Sequence, residues 1–173
     1  MDIGLIYLYT GDGAGKSTAA LGHIFRALGH KWKICMIQFL KSARATGETK
    51  TAKVFSELLE FHIKGKGFTY SSEDKKEHIK AGQDAWEFAK GKIESKAYNL
   101  IVLDELTYLI KYDIIAESEI ISALKNKPKN LHIIITGRDA SEGLIETADL
   151  VSRVENVKHP YDLGLKAQKG IEF

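Results

Sequence analysis

The stretch from Leu5 to Gly29 places an apolar run, a glycine-rich loop and a helical pattern directly one after another. The run LIYLY ends at Tyr9, and the loop TGDGAGKS follows it. Apolar residues then recur with the i, i+3, i+4, i+7 spacing of one helix face: Leu21, Ile24, Phe25 and Leu28. Gly29 is a suitable C-terminal stop. A strand, a tight loop and a helix in this order predict a phosphate-binding loop in a fold with parallel strands.

The loop differs by one residue from the usual pattern G-x-x-x-x-G-K-[ST]. Gly15, Lys16 and Ser17 fill the last three positions, whereas Thr10 stands where the first glycine is expected. In such a loop the backbone N–H groups converge on phosphate oxygens, the helix N-terminus adds a positive dipole end, and Lys16 supplies an ammonium group. The Ser17 hydroxyl can bind Mg²⁺. The alternative interpretation is a glycine-rich turn that holds no ligand.

Short apolar runs rich in β-branched residues recur along the rest of the chain. Besides LIYLY they are ICMIQFL at 34–40, NLIVL at 99–103, HIIIT at 132–136, LVSRV at 150–154 and a weaker run, EFHIKG, that begins at Glu60. Most are continuous rather than alternating, as in strands buried on both faces of a parallel sheet. With helical patterns between them, they predict an α/β fold, a three-layer α/β/α sandwich with a mainly parallel sheet.

A second helical pattern follows Ser71, which with Asp74 resembles a capping box. Its apolar positions have helical spacing: Ile79, Trp86, Ala89 and Ile93. The chain of 173 residues contains only 2 prolines and no low-complexity linker or repeat, so residues 1–173 are expected to form one domain.

Composition excludes several classes of protein. The 25 basic and 23 acidic residues give a formal net charge of +2, which marks neither a nucleic-acid binder nor a membrane-surface binder. Cys35, the only cysteine, lies in an apolar run and has no partner for an intramolecular disulfide. We therefore expect a buried, inert thiol in a reducing cytoplasmic setting. The sequence shows no secretory leader and no apolar run near the roughly 20 residues that a membrane span needs.

The run NLIVLDEL predicts a strand that ends in two acidic residues, Asp104 and Glu105. Such a strand end holds or orients the metal beside a phosphate loop. In a parallel sheet both motifs lie at the carboxyl edge, where open α/β sheets bind ligands. One acid is then a metal ligand, and the other contacts that ligand without binding the metal. The alternative is an acidic turn at the start of a helix, where negative charge is favourable. Together the motifs indicate a nucleoside triphosphate and Mg²⁺ but not which bond breaks.

Several longer blocks resemble one family. These blocks are YTGDGAGKSTAALG, MIQFLKS, GKGFTY, VLDELTYLIKYD and the stretch from IIITGRDASEGL to the C-terminal VKHPYDLGLKAQKGIEF. They are similar to the ATP:corrinoid adenosyltransferases of the cobalamin-biosynthetic type, over about residues 5–173. The C-terminal block is specific, because nucleotide binding in general does not require it. The resemblance implies a RecA-like phosphate-loop fold.

The activity that this resemblance implies is chemistry at carbon. Co(I) of a corrinoid attacks the 5′ carbon of ATP, a Co–C bond forms, and triphosphate leaves. The corrinoid is cobalamin, cobinamide or a cobyrinic acid derivative. The resemblance also implies Mg²⁺ or Mn²⁺, a reduced flavoprotein as electron donor, a homodimer, and no nucleic-acid or membrane partner. ATP binds with its triphosphate reversed in the loop, and Thr10 is consistent with that.

Residue roles are implied position by position. The catalytic residues are Lys16, Phe68, Tyr70 and Glu105, and the metal site consists of Ser17, Glu105 and Asp104. The residues expected to bind ATP are Thr10, Gly11, Asp12, Gly13, Ala14, Gly15, Lys16, Ser17, Thr18, Arg26 and Arg138. For Arg26 a solvated helix-face charge is an equal alternative, and for Arg138 the alternative is a surface loop residue.

The aromatic residues of GFTY, Phe68 and Tyr70, fall where the family places side chains against the lower face of the corrin. There they displace the lower axial ligand, and four-coordinate cobalt is easier to reduce. Tyr70 stands where well-known members have tryptophan. The alternative is a pair of aromatics that anchors a loop. His159 is left outside the catalytic set, and Lys41 and Lys166 are interpreted as solvated lysines.

A further departure is the start of the chain, which lies almost at the first strand, whereas familiar bacterial members begin with a helical segment over the corrinoid site. We expect either a more exposed corrinoid or a different covering element. Two rival functions share the phosphate-site motifs. A small-molecule kinase or ATPase would release ADP, and a corrinoid-delivery module would form no Co–C bond.

Overall fold

The computed structural model describes residues 3–40, 46–65 and 75–172. Their centre is a sheet of 6 parallel strands in the order β3-β2-β4-β5-β1-β6. The strands are β1 (Ile6–Thr10), β2 (Ile34–Gln38), β3 (Leu59–Ile63), β4 (Leu100–Asp104), β5 (His132–Thr136) and β6 (Leu150–Arg153). All of the apolar runs that predicted strands, including the weaker one at Glu60, are therefore confirmed.

Helices lie between the strands. They are α1 (Lys16–Gly29), α2 (Gly47–Val54), α3 (Lys75–Glu94), α4 (Thr107–Lys111), α5 (Glu117–Lys125) and α6 (Glu142–Thr147), and a short 3₁₀ helix (Pro160–Leu163) follows β6. The two predicted helices are α1 and α3. The proposed cap of α3 at Ser71 and Asp74 lies outside the described residues.

Alternate residues of each buried strand pack against opposite helical layers. In β4, Leu100 and Val102 join a core with Ala20 and Ile24 of α1. Ile101 and Leu103 join a second core, to which α3, α4, α5 and α6 contribute. Because both faces of β4 are covered, its sequence is apolar throughout. The three-layer α/β/α prediction is confirmed.

Trp86 of α3 shows how a large amphipathic residue enters the second core. It is fully buried at 0% exposure. Its indole Nε1 donates a hydrogen bond of 2.7 Å to Glu119 at the start of α5. Since an unpaired buried N–H is costly, this bond permits the burial and joins the two helices.

One detail of the expected packing was wrong. Phe25 was expected on the buried face of α1, but it is 78% exposed. The small residues Ala20 and Ala27 pack on either side of Ile24 instead, so that α1 lies close to the sheet. The LVSRV run forms β6, which is an edge strand, and Leu150 and Val151 are exposed.

Cys35 lies within β2 and is completely buried. Burial raises the pKa of its thiol to about 12, which agrees with the inert cysteine that we expected. Within the ranges that the structure describes, no helix is both long and apolar enough to cross a bilayer.

Candidate active site

The phosphate loop leaves β1 at the carboxyl edge of the sheet and enters α1 at Lys16. Gly11 has φ 98°, a conformation that side chains disfavour, and a Cβ atom there would lie 2.4 Å from the carbonyl oxygen of Val154. The loop thus needs glycine at this position both for its turn and for its closeness to the end of β6. Asp12, Ala14 and Thr18 are exposed around the mouth of the loop.

Lys16 is the first residue of α1, and its side chain reaches back over the loop, where it is only 6% exposed. Its ammonium donates hydrogen bonds of 2.7 Å to the carbonyl oxygens of Gly11 and Gly13. Burial lowers the pKa of Lys16, and the charge of Glu105 opposes that effect. An ammonium group and a helix N-terminus meet here, and both are groups that bind phosphate anions.

The end of β6 holds the loop from the side. The amide of Val154 donates to the carbonyl oxygen of Thr10 at 2.7 Å, and the carbonyl oxygen of Val154 accepts from the amide of Gly13 at 2.9 Å. A Cβ atom on Gly13 would lie 2.5 Å from the carbonyl oxygen of Glu155. No sequence pattern indicates this contact, because main-chain pairing does not depend on particular side chains.

Asp104 is at the end of β4 and is completely buried. Its Oδ1 accepts hydrogen bonds of 2.7 Å from the hydroxyls of Ser17 and Thr136. Its Oδ2 accepts a bond of 2.9 Å from the side-chain amide of Gln38, at the end of β2. The acidic strand end and the phosphate loop thus meet at one site, as predicted.

Glu105 turns away from the direction of β4. Its φ of 64° is in the left-handed region, which is uncommon outside glycine and often found at functional sites. Its amide donates a bond of 3.0 Å to the Thr136 hydroxyl. The negative charge of Glu105 acts to raise the pKa of Lys16.

Gln38 and Thr136 are two site residues that the sequence reasoning missed. Both are the last residues of buried strands and are 1% and 0% exposed. A polar residue at the carboxyl end of an apolar parallel strand is the signal that singled out Asp104. The same signal was present in the runs of β2 and β5.

Residues 2–173 match the family described as ATP:corrinoid adenosyltransferase BtuR/CobO/CobP. The chain belongs to this family. A protein of Sinorhizobium sp called corrinoid adenosyltransferase is 42% identical to this chain, over 98% of this chain and 80% of the relative. A protein of the same name in Pseudomonas aeruginosa is 37% identical, over 98% of this chain and 84% of the relative. The Escherichia coli relative is 36% identical, over 98% and 86%. The protein is therefore an enzyme of the corrinoid adenosyltransferase type, with ATP and a corrinoid as substrates.

A solved structure supports the fold independently. The flagellar accessory protein FlaH from Methanocaldococcus jannaschii superimposes with a TM-score of 0.52 at 16% identity, covering 88% of this chain and 72% of that protein. In the sheet described above, β5 separates the phosphate-loop strand β1 from the acidic strand β4. Both observations agree with the RecA-like phosphate-loop fold that was predicted.

The two arginines predicted to bind ATP lie in different places. Arg138 follows β5 at the carboxyl edge and is exposed. The residues around it bond to Tyr9 and Thr10 at the end of β1, so its main chain lies beside the start of the loop, and its charge lowers the pKa of Lys16. Arg26 is in the last turn of α1, roughly 15 Å from Lys16 along the helix. There it lines a cavity of about 230 Å³ together with His23 and Trp32. The structure thus brings Arg138, but not Arg26, to the phosphate loop.

The remaining candidates are also accounted for. Phe68, Tyr70 and Lys41 lie outside the described residues. Lys166 is exposed. His159 caps the 3₁₀ helix, since its Nδ1 accepts a hydrogen bond of 3.1 Å from the Tyr161 amide, and this is a structural role.

Proposed function

We propose that the carboxyl edge of the sheet holds ATP on the phosphate loop with its 5′ carbon directed toward the Co(I) of a corrinoid substrate. The observation that carries this proposal is the junction of the loop with the acidic strand through Ser17 and Asp104. The electron pair of Co(I) forms the Co–C bond, the C5′–O bond breaks, and triphosphate leaves with that electron pair. Because no proton needs to move, the protein contributes by positioning and by stabilising negative charge.

Lys16 and the loop amides are the groups that we assign to the leaving triphosphate. A nearly buried ammonium interacts more strongly with an anion than an exposed one does, because water screens it less. Arg138, exposed beside the loop, adds a second cation on the same side. This arrangement suits a reaction in which charge grows on the oxygen that departs from the 5′ carbon.

The donor set beside the loop suits Mg²⁺, because the Ser17 hydroxyl and the carboxylates of Asp104 and Glu105 are all oxygen ligands. We assign Ser17 and Glu105 to the metal. Asp104 already accepts three hydrogen bonds, so we assign it to orienting Ser17. When bound, the ion would neutralise charge on the triphosphate.

For the corrinoid we retain Phe68 and Tyr70 as the residues of its lower face. Described residues on both sides of that segment, Gly65 and His78 among them, line a small cavity with Tyr108 of α4 at the carboxyl edge. Burial and the charge of Glu105 raise the pKa of Tyr108, which keeps its hydroxyl protonated. The corrinoid site would thus adjoin the phosphate site.

The proposed setting is a cytoplasmic homodimer that receives electrons from a reduced flavoprotein, since Co(II) must become Co(I). Exposed apolar side chains are compatible with a partner surface: Phe25, Val54, Tyr161 and Ile171 are each at least 78% exposed. Cys35, a lone buried thiol, is compatible with a reducing compartment.

The test is an anaerobic absorbance assay with Mg·ATP and chemically reduced cobalamin or cobinamide, followed by chromatography of the phosphate product. We expect adenosylcorrinoid and stoichiometric triphosphate. ADP without alkylated corrinoid would identify a kinase or ATPase, and bound but unalkylated corrinoid would identify a delivery module. Phe68→Ala should slow the reaction that starts from Co(II) at least tenfold more than the reaction from prereduced Co(I). Equal loss in both would refute the assignment of Phe68.

A further inference from the structure

The segment that carries Arg138, residues 137–141, is anchored on both sides of that arginine. Before it, the amide of Gly137 donates a hydrogen bond of 3.2 Å to the carbonyl oxygen of Tyr9 in β1. After it, the carboxylate of Asp139 accepts a bond of 2.7 Å from Lys111 of α4. Arg138 itself is exposed. The main chain at Arg138 is therefore held in place, and the exposed side chain extends from this fixed position.

Close packing fixes the start of this segment further. Gly137 has φ 148°, and a Cβ atom there would lie 1.9 Å from the hydroxyl oxygen of Thr107, the first residue of α4. At the other end, the hydroxyl of Ser141 donates a bond of 2.5 Å to Glu117 and accepts the amide of Leu144 as the N-cap of α6. The segment has little room to shift relative to α4, α5 and α6.

Thr10 supplies the link between this segment and the phosphate loop. Its side chain is buried, at 3% exposure, and its Oγ1 accepts a hydrogen bond of 3.2 Å from the amide of Ala140. Glycine, the usual residue at the first position of such a loop, has no side chain to make this bond. Threonine in place of glycine thus adds a hydrogen bond to Ala140, two residues after Arg138.

We propose that Thr10 is a positioning residue that sets Arg138 relative to the phosphate loop, an inference that rests on the proposed role of Arg138 at the triphosphate. The hydroxyl of Thr10 makes one rigid unit of the loop and the segment 137–141. The main chain that carries Arg138 is then already ordered before the phosphate chain binds. Binding therefore loses less affinity to conformational entropy.

The test measures binding of inorganic tripolyphosphate with Mg²⁺ by calorimetry, without corrinoid. Thr10→Val keeps the side-chain volume and removes the acceptor, so we expect about tenfold weaker binding. Thr10→Ser retains the acceptor and should bind like the wild type. Combining Thr10→Val with Arg138→Ala should weaken binding no further than Arg138→Ala alone, because Thr10 acts through Arg138.

Additive losses in that double-mutant cycle, or a Thr10→Ser variant as weak as Thr10→Val, would overturn the inference. If Thr10→Val does not fold, Thr10→Gly serves in the same cycle, since it also lacks the hydroxyl and introduces no new contact. Unchanged binding by Arg138→Ala alone would instead remove the proposed role of Arg138. The adenosylation assay of the wild type, which does not depend on this cycle, tests the proposed function itself.

Discussion

The hydroxyl of Ser17 donates a hydrogen bond of 2.7 Å to Asp104, a residue 87 positions later in the chain. The two residues follow strands that are not neighbours, because β5 lies between β1 and β4. Thr136, at the end of that intervening strand, bonds to the same Asp104 oxygen. The start of α1 and the end of β5 thus both hold one carboxylate, at the end of β4, beside the phosphate loop.

Replacing Thr136 should show how much this junction contributes to stability. Thr136→Val removes a donor to Asp104 and the acceptor of the Glu105 amide. Because both groups then lack a partner, we expect the free energy of unfolding to fall by about 2 kcal/mol. Urea denaturation measures it, with Thr136→Ser as the variant that keeps the hydroxyl. Equal stability of the two variants would contradict this prediction.

Lys16→Ala should reduce kcat/KM for adenosyl transfer about 100-fold or more, because the ammonium that we assign to the leaving triphosphate is lost. The measurement is the anaerobic assay with prereduced corrinoid, so that cobalt reduction does not limit the rate. Lys125→Ala, at an exposed lysine of α5, is the matched control and should be as active as the wild type. A similar loss in both variants would point to a general charge effect.

Two glycine-to-alanine substitutions should have opposite effects. At Gly137 an added Cβ atom meets Thr107 and requires a disfavoured φ, so we expect a loss of about 2–4 kcal/mol. At Gly22, within α1, an added Cβ atom meets nothing within 4 Å. Gly22→Ala should add about 1 kcal/mol through helix propensity and raise Tm by about 2–4 °C. Thermal unfolding of both variants checks the pair, and a shift of the same sign in both would refute it.

The acid stability of the sheet edge should depend on Glu60. Its carboxylate accepts bonds of 2.7 Å from Lys92 and from the Tyr98 hydroxyl, and these bonds lower its pKa from the ordinary 4.5 to about 2. The stabilisation is therefore complete above pH 4.5 and is lost as the pH falls toward 2. Because the side chain is 45% exposed, solvent screening limits the effect to at most about 1 kcal/mol.

Glu60→Gln should accordingly lower Tm at neutral pH and flatten the dependence of Tm on pH between about 5 and 2. Calorimetric scans across that range measure the effect, and Glu57→Gln, at an exposed carboxylate nearby, serves as the control. A pH profile of Glu60→Gln parallel to that of the wild type would show that another group accounts for the acid sensitivity.

Most of the sheet could be predicted from the sequence because buried parallel strands need continuous apolar runs, and β2, β4 and β5 each have one. The edge position of β6 could not, because β-branched apolar residues occur in edge strands as well as in central ones. Phe25 was misplaced for a related reason. Helical periodicity gives a face, but the close approach of α1 to the sheet, which favours Ala20 and Ala27, depends on tertiary packing.

Within the candidate site, the residues with a sequence motif were found, and those that act through the main chain were not. Lys16, Ser17 and Asp104 belong to spaced patterns whose chemistry is known in advance. The bond between Thr10 and Ala140 depends on the distance between two loops, which no spacing encodes. Thr136 is an intermediate case, because the sequence indicates that it ends a strand but not that it bonds to Asp104.

The contact between Gly13 and Val154 also has a consequence for how the protein is made. The phosphate loop leaves the ribosome well before β6, the strand that holds it. A nascent chain without β6 has the complete loop sequence but lacks the main-chain bonds that set its shape. Nucleotide affinity should therefore appear abruptly once β6 has emerged, and a chain that still lacks β6 would not sequester ATP.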